Sequence, residues 1–402
     1  MQYVILGNGA AGNSAAERLR QNDPHASIAL VCAERHPHYS RVALPRFVRG
    51  QITEDKVMMR SVESYAKLNI DAQLGVKALG INAETKRVKC DDGRTLAYDK
   101  LLIATGGRPR PSAWAQPGDD RRSLPFQTVD DARAIISLTS EARHVLVVGG
   151  GFIGYELAES IAFRKQAKVT WMMRGPWFLP HVLDASAGAI ARNLAEEAGV
   201  DLITNDEIET IDKSSAGYRV TTRSGRRLDV DLIAQGIGID YHTEVALTAG
   251  LVAAPGIRTD SRLRTPVQDI YAAGDIALFY NERTGRYTQT GSWDSAIAQG
   301  KTVADNMAGG DAPFVDVSTY TTSLFGSTLA VLGDVHAGAA RGEKITIESD
   351  GDDYRQFHIV NGKLVGAILI GSPKGRKRFI ELIRTEVPVS AGIEEVPRLN
   401  VA

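Results

Sequence analysis

Residues Val145 to Glu156 read VLVVGGGFIGYE, and the fold follows from them. Four apolar residues in a row, Val145 to Val148, predict a parallel strand buried on both faces. Gly149, Gly151 and Gly154 then spell G-x-G-x-x-G, and Tyr155 to Phe163 predicts a helix. The three glycines have separate tasks: a tight turn, close backbone approach to a pyrophosphate, and close packing of helix on strand. The helix N-terminus offers free N–H groups and a positive dipole end to the phosphates. One such fingerprint is weak evidence, but the chain opens with a second. YVILGNGAAG puts Gly7, Gly9 and Gly12 after a strand and before a helix over Ser14 to Leu19. The pair predicts an α/β chain with two Rossmann-like dinucleotide-binding domains, and hence two dinucleotides, one of which can hold electrons.

Composition narrows the class. A chain of 402 residues with 43% hydrophobic and 24% charged residues predicts two or three domains with substantial cores. The net charge of −1 gives no general reason to expect nucleic acid or membrane binding. No apolar run reaches the roughly 18 residues of a spanning helix. The chain enters its first strand at once, which leaves no room for a signal peptide, so a cytoplasmic protein is expected. Cys32 and Cys90 stand far apart in no metal or C-x-x-C spacing and read as packed, inert thiols.

Along the chain, Ser27 to Val31 predicts the second strand, and Glu34 falls 22 residues past Gly12, where an acid accepts hydrogen bonds from a ribose diol. Residues 70 to 97 alternate and turn at Asp92-Gly93, predicting a small antiparallel meander. Leu101 to Ala104 predicts a short strand running into Thr105-Gly106-Gly107, and Pro111 to Pro125 reads as a linker. In the second half, Lys168 to Met172 and Leu232 to Ala234 predict strands, Ala185 to Ala198 a helix, and Tyr218 to Val230 a hairpin. IYAAGDIA repeats the strand-to-glycine pattern at Gly274 and Asp275, and Ser292 to Gly309 predicts a helix. From about Pro313 short strands and a helix at Lys377 to Leu382 predict a third, α+β domain.

Taken together, the two fingerprints, Glu34, YDKLLIATG, GGGFIGYE and AAGDIA resemble the two-dinucleotide disulfide-oxidoreductase flavoproteins over nearly the whole chain. The resemblance implies FAD held by Gly7, Gly9, Gly12, Glu34 and Arg41, with Thr105 and Gly106 nearby. It implies that Asp275 binds the ribityl or pyrophosphate region, although an aspartate there could also cap a helix. It implies that the helix starting near Trp293 aims its N-terminus at the flavin's pyrimidine edge. The nicotinamide cofactor falls to Gly149, Gly151, Gly154 and Arg174. The division implied is an FAD-binding domain split over 1–112 and 245–312, an NAD(P)-binding domain at 113–244, and a C-terminal interface domain at 313–402.

The branch is set by what is missing. No Cys-x4-Cys pair stands some forty residues in, and the single-cysteine pattern YxxCxLP is met by Tyr39-Ser40-Arg41-Val42-Ala43-Leu44-Pro45, with Val42 in the cysteine's place. A valine forms neither thiolate nor sulfenate. The remaining likeness is to the NADH:rubredoxin and ferredoxin reductases and the reductase part of nitrite reductase large subunits. These pass electrons from flavin to a metalloprotein, with a lysine near the flavin paired to a glutamate. Glu156 matches that glutamate, Arg46 stands where the lysine would be, and Phe152 stands where relatives carry an aromatic gate. Arginine stays charged and cannot serve as a proton donor.

For the nicotinamide, Met173 occupies the place of the acid expected about twenty residues past Gly154, and Arg174 follows. NAD is expected, with NADP left open. The partner implied is an iron–sulfur or rubredoxin-type electron-transfer protein, steered by the basic segment Lys374, Arg376, Lys377 and Arg378. Two other roles stay open: a redox-controlled interaction module like apoptosis-inducing-factor flavoproteins, and an NADH oxidase using oxygen. So do homodimerisation and membership of a larger NAD-linked iron–sulfur complex.

Overall fold

Two compact units account for the chain, one of Met1–Val42, Glu54–Arg108 and Ile239–Asp316, the other of Ala43–Thr53, Pro109–Gly238 and Val317–Ala402. The structure, a computed structural model, describes all residues except 117, 215–216, 336–342, 349–352 and 390–402.

The first unit is built on a five-stranded parallel sheet in the order Ile270–Ala272, Lys100–Ile103, Gln2–Leu6, Ser27–Cys32, Ile70–Leu74. Successive side chains of the first strand go to opposite cores, as the strand's period of two requires. Tyr3 and Ile5 join Leu30, Leu102, Ala15, Leu19 and Val303 on one face. Val4 and Leu6 join Val31, Leu101, Val88 and Val245 on the other. That double burial is why the segment YVIL is apolar without interruption. Against the first face lie the helices Ala10–Asn22 and Trp293–Met307, the latter N-capped by the Ser292 hydroxyl, which accepts from the Ser295 N–H. They cross closely: a Cβ on Gly300 would collide with the Ala11 carbonyl.

One strand lies elsewhere than its pattern predicts. Ile70–Leu74 pairs in parallel with Ser27–Cys32 as the sheet's edge, and only Ala78–Asn82, Arg87–Cys90 and Thr95–Ala97 form the antiparallel meander. Ile70, Ala72 and Leu74 alternate with Asp71 and Gln73, and such alternation suits a parallel edge strand as well as a meander strand. The break between them is Gly75, at φ +77°.

The second unit contains a four-stranded parallel sheet in the order Val200–Ile203, Lys168–Met172, His144–Val148, Leu232–Gln235. Helices Phe152–Phe163 and Ala185–Glu197 follow the strands, and Val129–Glu141 starts at a capping box between Thr128 and Asp131. The predicted hairpin is part of a three-stranded antiparallel sheet, Ile208–Ser214, Gly217–Thr222 and Arg227–Val230. The stretch read as a linker does more than connect, because Leu124 bonds into the parallel sheet beside Ala234. In the C-terminal part, five antiparallel strands run in the order Thr319–Leu324, Ser327–Gly333, Lys363–Ile370, Tyr354–Val360, Glu343–Glu348. Phe379, Leu382 and Ile383 of helix Arg376–Thr385 pack onto Leu332, Phe357 and Leu369 of that sheet.

Gly300→Ala tests the helix crossing by its sign. Helix propensity alone would stabilise by about 1 kcal/mol, whereas pushing the two helices apart should cost about 1–3 kcal/mol. A net loss in urea unfolding is expected, and a net gain would contradict the close approach.

Candidate functional site

In the first unit the chain bends sharply where the strand Gln2–Leu6 ends. Gly7 sits at φ +111°, and a Cβ on it would strike the Ala104 carbonyl. A Cβ on Gly12 would strike the carbonyl of Gly7 itself, whereas Gly9 has nothing within 4 Å of such an atom. The second unit repeats the arrangement. Gly149, at φ +129°, abuts the Gly236 carbonyl, Gly154 abuts Gly149, and Gly151 faces open space. The outer glycines are therefore required by the chain's own packing. The middle glycine leaves backbone and a helix N-terminus uncovered, which fits a pyrophosphate in each unit.

Further residues of the first unit gather at the carboxyl ends of the same parallel strands, the usual ligand edge of such sheets. Glu34, just past Ser27–Cys32, accepts hydrogen bonds from the Tyr39 hydroxyl and the Arg41 guanidinium, both at 2.5 Å. Burial opposes the Arg41 charge, but Glu34, Tyr39 and Asp275 outweigh it and raise its pKa. Asp275 lies in the turn after Ile270–Ala272 and caps no helix. Burial raises its pKa, and Arg41 pulls the other way. Past Lys100–Ile103, the Thr105 hydroxyl donates to the His242 carbonyl at 3.1 Å, and Gly106 at φ +60° leaves open space. Trp293 opens its helix with its ring stacked on His38, centroids 5.6 Å apart and planes within 11°.

A polar cluster here escaped the sequence reading. The Tyr65 hydroxyl accepts from the His38 backbone N–H at 2.8 Å and from the Asn8 amide at 2.9 Å, and the Asn13 amide donates to Asn8 Oδ1 at 3.2 Å. His38 Nδ1 lies 3.0 Å from the Asn8 carbonyl, and burial lowers the imidazole's pKa. Asn8 and Asn13 flank the glycines and could have been singled out. Tyr65, 57 residues from Asn8, carries no local signal.

In the second unit Phe152, Glu156 and Glu159 follow one another along the helix Phe152–Phe163. Glu159 forms an ion pair with Arg49, the two side chains only 5% and 7% exposed. The Tyr155 and Ser323 hydroxyls donate to Glu159 at 2.9 and 2.5 Å. Glu156 accepts from the Tyr320 hydroxyl at 2.8 Å and from Thr322 at 3.3 Å. Burial pushes the Glu156 pKa up to about 6, against the pull of Tyr320, Thr322 and Arg49. Arg46, in the short helix Leu44–Val48, is exposed, and among the described residues no ion pair joins it to Glu156. Met173 is buried against Gly150, so the position of the missing acid faces the interior, while Arg174 beside it is exposed.

The Arg49–Glu159 pair gives a sharp stability test. Arg49→Ala leaves a buried carboxylate without its cation and should cost about 3–5 kcal/mol. The double variant Arg49→Leu/Glu159→Leu should lose much less, since neither charge then remains. Urea unfolding of the three proteins checks this, and equal losses in the single and double variants would contradict it.

Comparison with known proteins agrees with this geometry. A model of the pyridine nucleotide-disulphide oxidoreductase family matches residues 1–300. The chain is 32% identical over 338 residues to the ferredoxin–NAD(+) reductase component of the anthranilate 1,2-dioxygenase system of Burkholderia cepacia, covering 84% of this chain and 82% of that one. To putidaredoxin reductase of Pseudomonas putida it is 29% identical over 406 residues, covering 98% and 95%. The crystal structure of the covalent putidaredoxin reductase–putidaredoxin complex superposes with a TM-score of 0.90 at 26% identity, covering 100% of this chain and 99% of that one. With two fingerprint turns of matching geometry and three quarters of its length matched by the family model, the chain belongs to the pyridine nucleotide-disulphide oxidoreductase family.

Proposed function

We propose that this chain is an FAD-dependent oxidoreductase that takes electrons from NAD(P)H and passes them to an iron–sulfur or rubredoxin-type protein. The observation that carries the reading is the duplicated fingerprint turn, each copy with its middle glycine open to a ligand. The names of the relatives support the acceptor class, since one is a ferredoxin–NAD(+) reductase component and another a putidaredoxin reductase. Bound FAD supplies uptake of an electron pair and release of single electrons.

Backbone at Gly7, Gly9 and Gly12 receives the FAD pyrophosphate, and Glu34, oriented by Tyr39 and Arg41, accepts from its ribose. Asp275 binds the ribityl or pyrophosphate part, with Thr105 and Gly106 beside it. The helix at Trp293 directs its positive end to the flavin, where it favours negative charge. Gly149, Gly151, Gly154 and Arg174 hold NAD(P), with NAD the proposed cofactor. Phe152 and Glu156 face the flavin, and Arg46 supplies fixed positive charge. The FAD-binding part is taken as 1–112 with 245–312, the NAD(P)-binding part as 113–244, and the interface part as 313–402.

Thiol relay chemistry has no support in these residues. Cys32 and Cys90 are free, and burial raises the pKa of both thiols. Val42, in the redox cysteine's place, is 60% exposed and unreactive. A cytoplasmic location is part of the proposal. Among the described residues no helix is long and apolar enough to cross a membrane.

Lys374, Arg376, Lys377 and Arg378 surround the N-terminus of helix Arg376–Thr385, whose first turn carries no acid. Their charge adds to the positive dipole end rather than offsetting it, which suits an acidic partner. Anaerobic stopped-flow reduction by NADH or NADPH, then reoxidation by a plant-type or adrenodoxin-type ferredoxin, tests the reading. Fast reduction and a partner rate that falls steeply with salt are expected, with dye reduction barely changed. Slow flavin reduction with no transfer to any iron–sulfur protein would contradict the reductase and favour an interaction module.

A further inference from the structure

Glu156 and Glu159 stand one turn apart, and among the described residues the ion pair of Arg49 is with Glu159 and not with Glu156. Glu156 is left with two hydroxyls, both donated to Oε1. Tyr320 and Thr322, which supply them, alternate along the strand Thr319–Leu324 and so project from the same face. The Tyr320 ring also lies against Phe152, with centroids 3.7 Å apart and planes tilted by 40°. Phe152 and Glu156 are four positions apart and share a helix face. A single tyrosine therefore touches both residues assigned to face the flavin.

We propose that Tyr320 is a positioning residue that couples Phe152 to Glu156, its ring backing the phenyl group and its hydroxyl holding the carboxylate. This rests on the reading of Phe152 and Glu156 given under the proposed function. The charged and titratable groups facing Glu156 are Glu159 and Tyr155 on its own helix, Arg49 just past Leu44–Val48, and Tyr320 from the C-terminal sheet. Of these, Arg49 is engaged by Glu159, so the Glu156 charge is steadied by neutral hydroxyls, that of Tyr320 at 2.8 Å lying closer than that of Thr322 at 3.3 Å. Any shift of the Phe152 ring moves its aromatic backing and, with it, that hydroxyl. Nicotinamide docking against Phe152 would thus be registered at a carboxylate one helical turn away.

The coupling is read directly from the titration of Glu156. Its carboxyl band is followed by infrared difference spectroscopy against a Glu156→Gln blank, in FAD-loaded and flavin-free full-length protein. The parent midpoint is expected at about 6. Tyr320→Phe removes only the hydroxyl, and loss of a hydrogen bond to the charged form should raise the midpoint by about one pH unit. Phe152→Leu should also shift the midpoint, but only while the Tyr320 hydroxyl is present. An unchanged midpoint in Tyr320→Phe would overturn the proposal. So would a Phe152→Leu shift of equal size in the Tyr320 and Tyr320→Phe backgrounds, because the effect would then bypass the tyrosine. NAD(P)H reduction of the parent is measured alongside: if it fails while these shifts occur, the functional reading falls and the coupling stands.

Discussion

At each fingerprint turn a backbone comes into contact with another backbone at a point where no side chain fits. At Gly7 the first strand's exit turn rests on the Ala104 carbonyl, and at Gly149 the equivalent turn rests on Gly236. In both, the third glycine of the fingerprint then seats the helix on the first. Relaxing either contact would swing a helix N-terminus away from its sheet. That would scatter the residues gathered at the strands' carboxyl ends, so the glycine contacts hold the site chemistry in place as well as the fold.

The two units solve their electrostatic problems differently. In the first, Arg41 bonds Glu34 and also opposes the burial that raises the pKa of Asp275, so one half-buried cation faces two acids that follow different strands. In the second, two acids on one helix share an environment with Arg49, which commits itself to Glu159. Glu156 must then rely on neutral hydroxyls, and burial leaves its pKa raised to about 6. A carboxyl poised there can change protonation near neutrality, which the fixed charge of Arg46 cannot do.

Much of this was legible in the sequence because it is local. The paired fingerprints, the strands at Ser27 and Lys168, and the acid at Glu34 are written in short windows of spacing and apolar run. Both fingerprint helices nevertheless start earlier than their apolar pattern suggests, at Ala10 and Phe152, since the glycine turn leads straight into helical backbone. Ile70–Leu74 looks like a meander strand in the sequence because alternation does not distinguish parallel from antiparallel partners. The Arg49–Glu159 pair spans 110 positions and the Tyr320–Glu156 bond 164, and no local pattern marks either. Such long-range contacts become visible only once the sheets bring distant segments together.

Under the proposed function flavin is the redox group, with Val42 in place of a reactive cysteine and burial raising the pKa of both remaining thiols. Anaerobic titration of the FAD-loaded protein with dithionite, followed at the flavin band, counts the electrons it accepts. Uptake of one electron pair per bound FAD, unchanged after Cys32 and Cys90 are replaced by serine, is the result this account expects. Uptake of a second pair that disappears with either cysteine would contradict it, because a thiol centre would then share the electrons.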